Sequence, residues 1–134
     1  MKSSINLFEP SLFNQSKTYL KNCIKKNEIS THSSYIIEKF EKKISTLSGS
    51  KYSVGVNSGS VALYLSFKAL GIKENDLVIM PSYSFIATAT AAIHAGGSPW
   101  FVDIEKNYLT LDLDQVAKIL QKNTFKKGKY YFHK

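Results

Sequence analysis

Apolar residues recur along this chain with two different periods, and the change of period divides it. Near the start, Tyr19, Leu20, Cys23 and Ile24 are spaced by threes and fours, which places them along one side of a helix. A second helix is predicted over 34–47, where Ile36, Ile37, Phe40, Ile44 and Leu47 form one stripe and Glu38, Lys39, Glu41 and Lys42 lie opposite. Ser33 or Ser34 can cap its start, and Gly49 stands just past its end. From residue 51 the texture changes. Residues 52–57 read as a short strand, a Ser58-Gly59-Ser60 turn follows, and a helical run occupies 61–70 before Gly71. A compact apolar strand at 76–80 stops at Pro81. An Ala/Thr-rich helix over 85–95 ends at Gly96-Gly97, and a third strand is expected at 100–104. Asp112 or Asp114 begins a last helix through Val116, Ile119 and Leu120, while 123–134 shows no convincing period.

Strands alternating with helices of about ten residues indicate β-α-β crossovers and a mostly parallel sheet with flanking helices, an α/β fold. Three such strands belong in one sheet, with helices packed against it. A parallel sheet needs both faces covered, which this length barely supplies, so the chain reads as a truncated α/β domain. The expected organisation is an N-terminal helical segment over 1–50, a partial α/β domain over 51–122 and a Lys-rich tail over 123–134.

Composition narrows the function classes. The chain is 43% hydrophobic and 13% aromatic, which suits a globular core. No run approaches the ~18 apolar residues of a membrane span, and 1–10 carries no apolar secretory core, so no membrane partner and a cytoplasmic location are expected. The single cysteine, Cys23, excludes an internal disulfide, and no metal cluster is suggested. The net charge of +8 raises nucleic acid as a partner. All 18 basic residues are Lys, however, and Arg is the residue suited to forked phosphate and base contacts. Six of those Lys fall between Lys118 and Lys134 with no acid among them, so the basicity belongs to the tail and no nucleic-acid partner is expected.

Two segments carry candidate chemistry. At Ser58-Gly59-Ser60 a strand, a small-residue turn and a helix start follow one another. The first turn of a helix offers unpaired N–H groups at the positive end of its dipole, which bind phosphate. Gly59 lets the backbone approach an anion, and the Ser58 and Ser60 hydroxyls add donors. Taken alone, ordinary N-capping by Ser58 or Ser60 explains the turn as well. The second segment runs from Pro81 to Ala89 beyond a strand's carboxyl end, where open α/β sheets bind ligands. Phe85 or Tyr83 could stack on a planar heterocycle there, or each could be a core residue.

Together with their neighbours these segments resemble one family. Ser58-Gly59-Ser60-Val61-Ala62-Leu63 is similar to the Ser-Gly-Thr-x-Ala-Leu turn of the pyridoxal-phosphate sugar aminotransferases of the DegT/StrS type. Gly71-Ile72, followed by Asp76-Leu77-Val78-Ile79, resembles their Gly-Ile-x-x-Gly-Asp-Glu-Val-Ile, with Asn75 in place of the second glycine. Pro81 to Thr88 resembles their Pro-x-x-Thr-Phe-x-Ala-Thr, and Gly97 to Ile104 their Gly-Ala-x-Pro-Val-Phe-Val-Asp-Ile. Upstream, Ile29-Ser30-Thr31 and the segment to Glu41 are similar to their Ile-Ser-Thr-x-Gly-x-x-Val-x-x-Phe-Glu. The likeness keeps one order and spacing over roughly residues 5–120.

The resemblance implies part of a fold-type-I transferase large domain that binds pyridoxal phosphate. Ser58, Gly59 and Ser60 would hold the cofactor phosphate, Phe85 would stack on its ring, and Thr31 would lie near the sugar. It implies a keto-sugar nucleotide as substrate, glutamate as amino donor, a homodimer and a role in surface-glycan synthesis. The opening from Ile5 to Pro10, with Tyr19 to Ile24, looks most like the branch making 4-amino sugars for nonulosonic acids. The family's Schiff-base lysine and the acid facing the pyridine nitrogen match no position here, so no catalytic residue is assigned. A catalytically inactive fragment and a small Lys-rich binding protein are the rival readings.

Overall fold

A computed structural model describes residues 9–30 and 35–134, which form two compact units divided after Gly55. In the first unit, α1 spans Asn14–Lys25 and α2 spans Tyr35–Ser48. The expected stripes are present on both helices, yet no described residue of either is buried. Ile24, Phe40 and Leu47 stand exposed. α2 stops where Gly49 takes φ of 69°, a left-handed turn that costs glycine little. Glu41, expected on the solvent side, turns back to the chain that follows: its carboxylate accepts the Gly55 N–H at 2.7 Å, and its carbonyl accepts the Ser53 hydroxyl.

That engagement accompanies a correction. Residues 52–57, expected as a strand of the sheet, form no strand, and Val54 is 76% exposed. A strand exists only through ladder bonds to a neighbour, and no described residue pairs with this segment.

The second unit is built in the expected alternation. α3 spans Gly59–Ala69, β1 Leu77–Pro81, α4 Ala87–Ala95, β2 Ser98–Val102 and α5 Leu113–Asn123. β1 and β2 pair in parallel, Leu77 with Ser98 through Pro81 with Val102. β2 therefore begins two residues earlier than expected. Pro81 belongs to β1 as its last residue, and the ladder continues past it through Ser82 N–H to Val102 O at 2.8 Å.

Side chains alternate across this pair. Met80 is buried with Ala89 and Ala92 of α4, and Val78 and Phe67 of α3 pack against them. α4 is alanine-rich for this reason: Ala89, Ala91, Ala92 and Ala95 are its buried residues, and small side chains let α3 and the sheet approach closely. Leu77, Ile79 and Trp100 instead line a groove of about 1060 Å³ with Leu120 and Tyr131.

Two turns require their residues. Gly96 ends α4 with φ of 104°, and Asn75 holds φ of 71°, a conformation that asparagine tolerates best after glycine. Asn75 is therefore a workable replacement for the glycine of the resembled motif.

The tail is the second correction. Residues Thr124–Lys127 and Tyr130–His133, expected to be irregular, are β3 and β4 of an antiparallel hairpin turned at Gly128, whose φ is 64°. Phe125 stacks on Phe132 at 5.6 Å, and Lys126 sits over the Tyr131 ring. Runs of lysine and of aromatic residues gave no apolar period, while the cross-strand ring pairs that stabilise a hairpin only appear once the register is set.

Candidate functional site

The turn before α3 builds one wall of the site. Ser58 is extended, with φ of −160° and ψ of 158°, and acts as the N-cap. Its hydroxyl accepts the Val61 N–H at 3.3 Å, and its carbonyl accepts the Ala62 N–H at 3.0 Å. The Gly59 and Ser60 amides and the Ser60 hydroxyl have no partner among the described residues. A Cβ built on Gly59 would meet no protein atom within 4 Å, so the space before this helix end is open.

The other wall comes from the chain after β1. Residues 82–86 turn away from the sheet, and Phe85 is left 78% exposed. The turn is tied to α4 by Thr88 N–H on Phe85 O at 3.1 Å and by the Ser84 and Thr88 hydroxyls, 3.3 Å apart. α3 and α4 pack side by side, and their first turns share a cavity of about 370 Å³. Gly59, Ser60 and Leu63 line it from α3; Phe85, Ala87 and Thr88 line it from the other side.

Among the described residues no lysine, histidine or carboxylate lines this cavity. Its electrostatics come from helix-end dipoles and hydroxyls, which favour an anion. The arrangement can hold a phosphate and stack a planar ring; it offers no group of its own to give or take a proton.

Of the residues singled out from the sequence, Gly59, Ser60 and Phe85 meet at this cavity. Ser58 lies beside it as the cap, which leaves the Gly59 and Ser60 donors of the same turn facing the cavity. Tyr83 and Phe85 are both exposed, which overturns the alternative that they are core residues. Thr31 lies outside the described residues. His133, expected in an irregular tail, meets Trp100 edge to face at 5.4 Å. Leu63, Ala87 and Thr88 were missed as cavity residues. Thr88 stood within the recognised Phe-x-Ala-Thr segment, but only packing of α4 against α3 brings it to Ser60. Among the described residues no three His, Cys, Asp or Glu gather as a metal site, and no helix is long and apolar enough to cross a membrane.

A parallel β-α-β unit with a helix N-terminus and an exposed ring at one cavity beyond its strands is the architecture in which open α/β sheets bind ligands. Residues 10–129 match the DegT/DnrJ/EryC1/StrS aminotransferase family, and the chain belongs to it. It is 32% identical over 120 residues to GDP-perosamine synthase of Vibrio cholerae, covering 90% of this chain and 32% of that protein. It is 33% identical to GDP-perosamine synthase of Escherichia coli O157:H7, covering 90% and 33%. The chain thus spans about a third of the length of these relatives.

Solved structures share the fold. The aminotransferase from Psychrobacter cryohalolentis superposes with a TM-score of 0.76 at 23% identity, over 81% of this chain and 28% of that one. The E. coli GDP-4-keto-6-deoxy-D-mannose-3-dehydratase, with bound hydrated pyridoxal phosphate, gives 0.73 at 24%, over 84% and 30%. These are fold-type-I enzymes, and this chain has part of that α/β architecture.

Proposed function

We propose that this chain supplies the phosphate- and ring-holding part of a pyridoxal-phosphate-dependent aminotransferase acting on a keto-sugar nucleotide, with glutamate as amino donor. One observation carries the reading: Gly59 and Ser60 of one turn and Phe85 of another, distant in sequence, line one cavity. The donor set suits the cofactor, which joins a phosphate to a planar ring. The Gly59 and Ser60 amides and the Ser60 hydroxyl donate to the phosphate, Ser58 holds the first turn in shape, and Phe85 covers one ring face. When bound, the cofactor supplies the electron sink through which an amino group is moved. The relatives' name, GDP-perosamine synthase, supports a sugar nucleotide as the acceptor class. The reading includes a role in surface-glycan synthesis and a cytoplasmic location. Thr31 is assigned to the sugar side by its motif, and the exposed apolar stripe of α2 supports assembly as a homodimer.

The same cavity favours a second reading of the chain as it stands. Its lining suits binding and orienting, but among the described residues it includes no lysine nucleophile and no acid to face the ring nitrogen. The 134-residue chain alone is therefore catalytically incompetent.

Pyridoxine 5′-phosphate, which lacks the aldehyde and cannot link to surface lysines, tests the cradle. Its phosphorus resonance should report weak reversible binding, because an open site leaves the anion partly hydrated. Ser60→Ala or Phe85→Ala should weaken it about tenfold; unchanged binding in both would end the cradle reading. Pyridoxal phosphate should leave no stoichiometric lysine-linked absorbance after excess is removed. Stoichiometric retention that Ser60→Ala abolishes would overturn the incompetence.

A further inference from the structure

We propose that the β3–β4 hairpin is a docking surface for the headgroup layer of an anionic phospholipid bilayer. Among the described residues no helix can cross a membrane, which is why the sequence predicts no membrane partner. A surface contact needs no spanning run. It needs aromatic rings that can enter the interface, cations beside them, and an element that stays in place.

The hairpin is held at its open end. Thr124 is buried and its hydroxyl donates to Leu120 O, the Lys134 N–H donates to Asn123 O at 2.9 Å, and His133 meets Trp100 of β2. The turn end is free: a Cβ built on Gly128 would meet no protein atom within 4 Å.

The register sorts the side chains. Residues directly paired across an antiparallel ladder share a face. Thr124 with His133 and Lys126 with Tyr131 share the face turned to β2, so Phe125 with Phe132 and Lys127 with Tyr130 share the other. Phe125, Tyr130 and Phe132 are exposed, although Tyr130 and Phe132 also border the groove. The Lys129 ammonium lies 5.3 Å from the Tyr130 ring centroid and the Lys126 ammonium 5.7 Å from that of Tyr131. Each such pair joins an apolar ring to a cation, the combination that suits the boundary between headgroups and acyl chains.

Charge complementarity names the occupant. Lys126, Lys127 and Lys129 are exposed around the turn, Lys118 and Lys122 are exposed on α5, and no acid occurs from Lys118 to Lys134. Lysines act as point charges that a field of anionic headgroups attracts. They lack the guanidinium fork that grips phosphodiesters and base edges, which favours lipid over polynucleotide.

The test sediments the 134-residue chain with vesicles of phosphatidylcholine, either pure or containing about a third phosphatidylserine. The chain should follow the anionic vesicles, remain in solution with the neutral ones, and be released at about 1 M salt, where the Debye length is about 3 Å. Lys126→Gln, Lys127→Gln and Lys129→Gln together should weaken binding about a hundredfold, at about fivefold for each charge. The same three changes at Lys17, Lys21 and Lys25 of α1 should stay within about twofold of the parent. Phe125→Ala with Phe132→Ala should weaken binding about tenfold at unchanged charge. The lysine variant keeps the ring pair, so it decides the matter even where the phenylalanine variant loses the hairpin. Equal capture by neutral vesicles, or equal loss from the α1 lysines, would overturn the proposal, since apolar adhesion or net charge would then explain binding. Retention of a single-stranded oligothymidylate without vesicle binding would make the partner nucleic acid and overturn it as well.

Discussion

Gly97→Ala is expected to destabilise the second unit by about 2 kcal/mol, within the usual cost of about 1–3 kcal/mol for overpacking a filled site. Gly97 lies between α4 and β2, and an added Cβ would sit 2.8 Å from Ile72 Cγ2 and 3.1 Å from Val78 Cγ2. Carbon atoms prefer about 3.5–4.0 Å, so both contacts are repulsive. The backbone cannot easily retreat. Gly97 N–H is bonded to Ala92 O at 2.9 Å, and the next amide, Ser98 N–H, is bonded to Asp76 O at 2.8 Å. Trp100, the only tryptophan, lies on β2 opposite Ile79 and reports unfolding by its fluorescence. In urea the midpoint should fall without a change of slope. Ile72→Ala should relieve the clash, so the double variant should lose at least about 1 kcal/mol less than the two single losses added together. A loss below about 0.5 kcal/mol for Gly97→Ala, or strict additivity with Ile72→Ala, would show that the close approach is not enforced by packing.

Two further outcomes follow from local geometry. The helix caps should rank by bond length and charge: Asp112, whose carboxylate accepts the Gln115 N–H at 2.9 Å, should cost about 1–2 kcal/mol as Asp112→Ala. Ser58→Ala, losing a bond of 3.3 Å, should cost about 0.5–1 kcal/mol in the same urea assay, and a reversed order would discredit the ranking. The exposed Phe40 and Leu47 of α2 should drive self-association, so sedimentation should give a mass above the monomer that falls with Phe40→Glu and Leu47→Glu. A strictly monomeric parent would contradict the homodimer.

Sequence alone was enough wherever the determining bonds are local. Helices close their hydrogen bonds four residues away, so the spacing of Ile36, Phe40 and Ile44 located α2, and the start of α5 was narrowed to Asp112 or Asp114, of which Asp112 is the cap. The cavity residues Gly59, Ser60 and Phe85 were legible for a related reason: each sits at or just before a helix start, in a short segment that resembles one of the family's own. Strands depend on neighbours far along the chain. The alternation at 52–57 therefore promised a strand that finds no ladder, while 123–134 hid a hairpin whose stability lies in cross-strand pairs such as Phe125 with Phe132. Burial was equally beyond the pattern, since an apolar stripe says which side a helix would bury but not whether anything covers it. Tertiary packing alone decided that α4 lies beside α3, and with it that Leu63, Ala87 and Thr88 complete the cavity, because a cavity belongs to the space between elements and not to any one of them.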